Sequence, residues 1–159
     1  MALSEKTIAK RKKEYFKNMA VALKRGDWKI IGTQVGMGVS FAYTVGRSLL
    51  GRRELLLAGV NIQYCTSVFH DIHDREKEKE IERGKPLDFL IRNFDCYLLE
   101  ANPEIKEKYR LHGGVFLEEG YPLDVIIFPD PKGKFPWEEG FDMGIPFNFQ
   151  ELYKEAPVG

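Results

Sequence analysis

The chain has 159 residues, of which 43% are hydrophobic and 13% aromatic, and its 24 basic side chains balance 24 acidic ones. The hydrophobic content excludes a disordered tail protein. The zero net charge argues against a protein that binds nucleic acid through a uniformly basic surface. A chain of this length buries about two-thirds of its surface on folding, which predicts a single domain with one core.

The neutral total hides two oppositely charged ends. Residues 1–25 carry eight basic side chains against two acidic ones, and residues 117–159 carry nine acidic ones against three basic ones. Such ends can attract each other within one chain or between copies, and a basic end can also serve as an interaction arm. Attraction between copies would produce a homo-oligomer that salt weakens.

The cysteines and the apolar runs bear on the compartment. Cys65 and Cys96 are the two cysteines of the sequence, whereas a secreted domain held by disulfides normally carries more. No apolar run approaches the roughly 20 residues that cross a bilayer, and the N-terminus lacks the apolar segment of a signal peptide. We therefore expect a cytoplasmic protein with reduced, packed thiols and no membrane contact.

The first predicted element is a basic amphipathic helix. Ser4 is a typical N-cap, apolar residues recur at helical spacing up to about Arg25, and Gly26-Asp27 ends the pattern. We assign the helix to residues 1–26 as part of the same domain as a core at 27–143, followed by a C-terminal tail at 144–159.

Three strands are predicted next. Residues 28–35 and 39–45 alternate in polarity and are rich in β-branched and aromatic residues, which indicates a hairpin that turns at 36–38. Its Gly-x-Gly turn lacks the third glycine and the following helix of a phosphate-binding loop. After a basic loop at 46–53, residues 54–58 form a short apolar run typical of a buried strand.

A second helix is predicted from Asn61 onward. Apolar residues step by 3, 4 and 3 and draw one buried stripe made of Ile62, Cys65, Phe69 and Ile72. The alternating charges of residues 74–80 are expected to continue this helix on the surface, until Gly84 and Pro86 end it.

The rest of the chain alternates strands and helices without a regular pattern. Residues 94–99 and 123–128 are predicted strands, 103–111 a helix, and 129–133 a turn. Because regular βαβ spacing is missing, the predicted fold is α+β: one domain with a mostly antiparallel sheet and helices packed on it.

Two histidines offer the one candidate metal site. His70 and His73 share a helix face, so they could hold an ion together with Asp74 or His112, as in a metal-dependent hydrolase. The spacing differs from the His-Glu-x-x-His of zinc proteases, and the helical stripe places one ring beside the core and one in solvent. We therefore expect no metal and no cofactor, and keep the hydrolase as an alternative.

No other pattern in the sequence predicts catalysis. Cys65 lies within an apolar stripe, where a thiol usually packs as a small hydrophobic group. No serine stands in a nucleophile-elbow pattern, and no nucleophile flanks His112. The sequence therefore indicates a binding protein without catalytic residues.

The stronger lead for binding is the group of three arginines in the basic loop. Arg47, Arg52 and Arg53 could clamp a phosphate or a carboxylate with their guanidinium groups. Alternatively, they pair with Glu54 and the acidic end of the chain, as surface arginines commonly do.

Two stretches resemble the signatures of a known family. The first is Phe41–Gly46, followed by Glu54, Leu55 and an apolar strand that ends at Gly59. The second runs from Pro129 to Phe141, and its pattern positions are Asp130, Gly133, Phe135, Pro136 and Trp137. In order and spacing both are similar to domain of unknown function (DUF) family 4262, a family of bacterial and phage domains, over about residues 28–142.

The resemblance implies a small cytosolic α+β domain and supplies no activity. We expect a site between the two signatures for an anionic small molecule or a protein partner, which requires them to lie within about 15 Å of each other. The candidate ligand-binding residues are Tyr43, Thr44, Arg47, Arg52, Arg53, Glu54, Asp130 and Trp137. One alternative is a protein that acts in bacteria–phage conflict by binding a partner or a nucleotide, and another is a nucleic-acid binder that uses its basic arm.

Overall fold

A computed structural model describes residues 4–35 and 38–158, so most of the predicted hairpin turn lies outside the described residues. Four α-helices occur in these ranges: α1 (Glu5–Lys24), α2 (Ile62–Glu76), α3 (Ile105–Lys108) and α4 (Gly113–Phe116). The six strands of the same ranges are β1 (Lys29–Val35), β2 (Val39–Val45), β3 (Glu54–Ala58), β4 (Leu87–Ile91), β5 (Phe94–Glu100) and β6 (Leu123–Ile127).

The strands form one mixed sheet in the order β1-β2-β3-β6-β5-β4. Neighbours run antiparallel except β3 and β6, which are parallel and pair Glu54 with Leu123. The predicted α+β class, with a mostly antiparallel sheet and helices packed on it, is confirmed.

The alternating side chains of the strands build a core on each face of the sheet. In β3, Leu56 contributes to the core under α1, α3, α4 and the C-terminal residues, whereas Leu55 and Leu57 contribute to the core under α2. This two-sided burial explains why β3 and β6 are apolar along most of their length.

Helix α1 is fixed at its C-terminal end. The side chain of Ser4 accepts a hydrogen bond from the Thr7 backbone N–H at 3.2 Å, as predicted for an N-cap. The buried residues Met19, Ala22 and Leu23 all lie in the last six residues of the helix. The N-terminal half of α1 therefore extends along the surface.

Two predicted elements differ from the structure, and one strand was not predicted. Helix α2 ends at Glu76 instead of continuing through the charged run, because no apolar side chain follows Ile72 to hold that run against the core. The predicted helix at 103–111 is reduced to α3, since Arg110 adopts a positive φ of 52°. Strand β4 was not predicted and forms the edge of the sheet beside β5.

The residues after 143 pack on the domain. Phe149, Leu152 and Tyr153 are buried in the core that includes β6, and Tyr153 forms an isolated antiparallel bridge with Ala101. The segment predicted as a tail therefore completes one face of the core.

Both cysteines are buried and free, as expected. Burial raises the pKa of the Cys65 thiol to about 11 and that of Cys96 to about 12, so both are protonated near neutral pH. Among the residues that the structure describes, no helix combines the length and apolar character needed to cross a membrane.

Candidate functional site

The carboxylate of Glu54 organises residues 46–53, which we call the arginine loop. It is fully buried at the start of β3, and its Oε1 accepts hydrogen bonds from Thr44 Oγ1 at 2.8 Å and from the Arg47 backbone N–H at 3.2 Å. Its Oε2 accepts from two further backbone N–H groups and from Ser48 Oγ at 2.7 Å. Because five donors converge on it, Glu54 shapes the loop and has no acceptor directed at a ligand.

Arg47 joins the arginine loop to the C-terminal end of α2. Its guanidinium is buried, and Nη2 donates to Glu76 Oε1 at 2.5 Å, Nη1 to His73 Nδ1 at 2.6 Å and Nε to the Arg53 carbonyl at 3.0 Å. The ring of Trp28 lies 5.9 Å from the guanidinium carbon. Each nitrogen of the guanidinium group thus has a protein acceptor, so Arg47 has a structural role.

His73 is held in its neutral form by these contacts. An arginine only donates hydrogen bonds, so Nδ1 of His73 accepts and its proton lies on Nε2. Burial, together with the positive charges of Arg52 and Arg47, lowers the pKa of His73 to about 4.

This low pKa predicts a loss of stability in mild acid. Unfolded His73 takes a proton as the pH falls below about 6.5, while the folded side chain stays neutral until about 4. The contribution of His73 to the free energy of unfolding is therefore complete above about 6.5 and declines between 6.5 and 4. Urea unfolding of the wild type and of His73→Gln should show a steeper acid decline for the wild type, since glutamine accepts from Arg47 but does not titrate. Parallel declines would contradict this assignment.

The proposed histidine pair does not combine into a metal centre in the residues that the structure describes. His70 is exposed and His73 half-buried, as the helical stripe predicted, and their rings lie 4.7 and 4.8 Å from the ring of Trp28. In residues 4–35 and 38–158 no group of three or more histidine, cysteine, aspartate or glutamate side chains is placed to hold an ion. His73 Nδ1 is also already bound to Arg47.

The side chains of Arg52 and Arg53 bind acceptors other than Glu54. Arg52 Nη1 donates to the carbonyl of His73 at 2.8 Å, near the end of α2. Arg53 Nε donates to Asp124 Oδ1 at 2.8 Å, and its Nη2 lies 3.8 Å from Glu100 Oε1. The part of the alternative in which Glu54 pairs with these guanidinium groups is therefore wrong, whereas the part in which an arginine pairs with the acidic end of the chain is confirmed by Arg53 and Asp124.

Asp124 is the centre of a second charged group, which we call the Asp124 cluster: Asp124 with Arg53, Arg83 and Lys106. The carboxylate is 3% exposed, and Arg83 Nη1 approaches its Oδ1 at 3.6 Å. Burial raises the pKa of Asp124 above its usual range, although Arg53 and Arg83 act in the opposite direction. Lys106 Nζ donates to the Tyr121 carbonyl, and burial together with the charge of Arg53 lowers its pKa. Two guanidinium groups, those of Arg53 and Arg83, thus approach one buried carboxylate, with Glu100 also beside Arg53 and Lys106 close enough to be affected by the charge of Arg53.

The second signature is a turn closed by Asp130. Its Oδ1 accepts from the backbone N–H groups of Lys132 and Lys134, and its Oδ2 from that of Asp142, each at 2.9 Å. Burial alone would raise the pKa of Asp130, but these backbone donors lower it. Asp130 therefore resembles Glu54 in role, because both are carboxylates that gather backbone donors.

Trp137 belongs to an aromatic cluster that packs this turn on the sheet. Its ring stacks on Phe135, with centroids 5.0 Å apart and planes inclined by 4°, and meets Tyr97 edge-on at 5.1 Å and Tyr153 at 5.8 Å. Such pairs contribute about 0.5–1.5 kcal/mol each beyond the burial of area. The position of Trp137 is thus explained by packing.

The two signatures lie at opposite ends of the sheet. The arginine loop precedes β3, Asp130 follows β6, and the two strands run parallel with Glu54 beside Leu123. Seven residues separate Leu123 from Asp130, which corresponds to roughly 20 Å of extended chain. The structure therefore brings Thr44, the loop arginines and Glu54 together but does not bring Asp130 or Trp137 to them. Tyr43 lies in the core, where its hydroxyl oxygen accepts from the His112 backbone N–H.

The residues of the Asp124 cluster were only partly predicted. Arg53 was a candidate, and Asp124 carried a signal in the sequence, because a carboxylate inside the apolar run of β6 must find a cationic partner. Arg83 and Lys106 lie in charged segments with no distinguishing pattern, so the proximity of Arg83 to Asp124 and of Lys106 to Arg53 depends on the fold alone.

The comparison with known proteins agrees with the resemblance noted from the two signatures. No curated protein and no solved structure matches the chain. The family model described as Domain of unknown function (DUF4262) matches residues 22–142, which include β1 to β6, the arginine loop and the Asp130 turn. The chain therefore belongs to the DUF4262 family.

Proposed function

We propose that the chain is a non-catalytic binding domain that takes an anionic small molecule at the Asp124 cluster. The observation that supports this most is the arrangement of Arg53 and Arg83 on one buried carboxylate. Asp124 and Glu100 balance the charges of these two groups, and Lys106 beside Arg53 adds one further positive charge at a partly buried position. An anionic group is the natural complement of such a charge.

The contacts of the cations leave donors for a ligand. A guanidinium carries five N–H donors, and Arg53 directs its Nε to Asp124, while Arg83 approaches the same carboxylate only at 3.6 Å. The lowered pKa of Lys106 reflects burial and the nearby charge of Arg53. A phosphate or carboxylate between them would remove that repulsion, so anion binding and protonated Lys106 would stabilise each other.

A groove beside the cluster provides access. It has a volume of about 850 Å³, within the usual range of ligand sites, and lies between residues 80–85 and 154–158. Arg83 and Glu100 line it together with other charged side chains of both signs. We place the anionic group of the ligand at the Arg83 end, because the Asp124 cluster is there.

A protein partner with an acidic side chain in this position is the second form of the proposal, since a carboxylate on a peptide presents the same chemistry.

We also propose a cytoplasmic location, which the two buried free thiols support. Salt-dependent self-association through the oppositely charged ends stays a prediction for sedimentation analysis at low and high salt.

Calorimetric titration with pyrophosphate tests the proposal. We expect saturable binding to the wild type and at least a tenfold weaker affinity in Arg83→Gln, because one charge-assisted contact is lost. Lys85→Gln is the matched control: it removes one cation from the same groove, two residues away, and should change the affinity less than twofold. Equal losses in both variants, or no binding to the wild type, would refute the site.

A further inference from the structure

The exposed side of α1 carries a line of lysines, which is interrupted between Lys17 and Lys24 by Ala20 and Val21. At 100° per residue, Lys6, Lys10, Lys13, Lys17 and Lys24 fall within about 60° of one another, roughly 150° around the helix from the buried residues at its C-terminal end. All five are exposed, and the line is about 27 Å long at 1.5 Å per residue. We call these five residues the lysine ridge.

The lysine ridge forms no ion pair in the residues described, although Glu14 lies one helical turn from both Lys10 and Lys17. The ion pairs there involve none of residues 5–25. In the acidic end of the chain, Asp124 pairs with Arg53 and Glu151 with Lys108. The attraction between the two ends within one chain, which the sequence left open, is therefore not formed by these pairs.

The ridge is carried by a well-anchored helix. Phe16 packs on Phe116 with ring centroids 5.7 Å apart, and Met19 and Leu23 enter the core. The apolar side of its C-terminal half thus faces its own domain, whereas Ile8 on the same side is 51% exposed, and the lysine side faces outward. An amphipathic helix that binds a membrane inserts its apolar side into the lipid, and in the C-terminal half of α1 that side is already covered.

We infer that the lysine ridge binds the phosphate backbone of a nucleic acid. Duplex DNA carries one negative charge per about 1.7 Å of its axis, so a straight line of five cations about 27 Å long can follow successive phosphates without reading the sequence. The zero net charge of the chain argues against binding of nucleic acid over its whole surface. In the structure, however, the five lysines of the ridge lie together on one side of α1. This inference is independent of the anion site at the Asp124 cluster.

Fluorescence anisotropy with a labelled 20-base-pair duplex and the full chain tests this inference. Five phosphate contacts predict a slope of about −4.5 in log K against log salt concentration, and a dissociation constant of about 10⁻⁴–10⁻⁶ M at physiological salt. The triple variant Lys10→Glu, Lys13→Glu, Lys17→Glu should bind at least a hundredfold more weakly, and the corresponding triple arginine variant should bind like the wild type.

Three exposed lysines elsewhere provide the control. The variant Lys77→Glu, Lys79→Glu, Lys85→Glu makes the same change in net charge outside α1 and should lose less than threefold in affinity. Equal losses in both glutamate variants would overturn the inference, as would no binding of the wild type to the duplex. Binding only to phosphatidylserine vesicles, or only salt-sensitive self-association, would also overturn it in favour of a membrane or a second copy. Circular dichroism checks that each variant is folded.

Discussion

Glu54→Ala is expected to lower the free energy of unfolding by roughly 3–5 kcal/mol, a large part of the 5–15 kcal/mol typical of a domain. The five donors that converge on the carboxylate would lose their acceptor inside the protein, including three backbone N–H groups at the start of the arginine loop. A buried donor without a partner costs about 1–3 kcal/mol, and water entering the vacated space recovers part of that cost. Urea unfolding at pH 7 measures the difference.

Glu118→Ala is the matched control for this change. Its side chain is exposed, so the same truncation should alter stability by about 0.5 kcal/mol or less. A loss below about 1 kcal/mol in Glu54→Ala would mean that the loop does not depend on the carboxylate.

Gly46→Ala is expected to destabilise the protein by about 3 kcal/mol or more. Gly46 has a φ of 115°, and a Cβ there would lie 2.6 Å from Leu23 Cδ2 and 3.0 Å from both the Asp27 carbonyl oxygen and Trp28 Cα. The contact with backbone atoms leaves little room for relief, so the C-terminal end of α1 would have to shift. Thermal and urea unfolding should show the loss.

Gly51→Ala is the control that distinguishes the cost of the steric clash at Gly46 from the cost of a positive φ. Gly51 also has a positive φ, of 79°, but a Cβ there meets no atom within 4 Å. Its replacement should cost only the strain of the left-handed region, about 1–2 kcal/mol. Similar losses of stability in the two variants would show that the close contact between α1 and Gly46 adds nothing to the cost of an alanine at position 46.

Local patterns were sufficient to predict most elements of this fold. The cap of Ser4, the α2 stripe from Cys65 to Ile72 and the strand at 39–45 each lie within one segment, and the structure confirms them. By contrast, Ile62 is 45% exposed, and β2 is buried on both faces instead of alternating. Strand β4 had only a weak pattern to support it, because Leu90 breaks the alternation that Leu87, Asp88 and Phe89 begin, and the strand is held by pairing with β5.

The candidate site depended on contacts between distant segments, which local patterns do not contain. The three arginines were identified, but the partner of Arg47 is Glu76 and that of Arg53 is Asp124. The second pairing exists because β3 and β6 are parallel neighbours, although some 70 residues separate them in the chain. The same parallel pairing places Asp130 at the opposite end from Glu54, so the single pocket between the signatures is not formed.

The most direct test of the proposed function is a crystal structure of the protein with pyrophosphate. We expect an anion that contacts Arg83 and Arg53 beside Asp124, at the end of the groove formed by residues 80–85. Pyrophosphate bound elsewhere, or an Asp124 cluster with no anion when the crystals contain saturating pyrophosphate, would contradict the proposal that this cluster is the binding site.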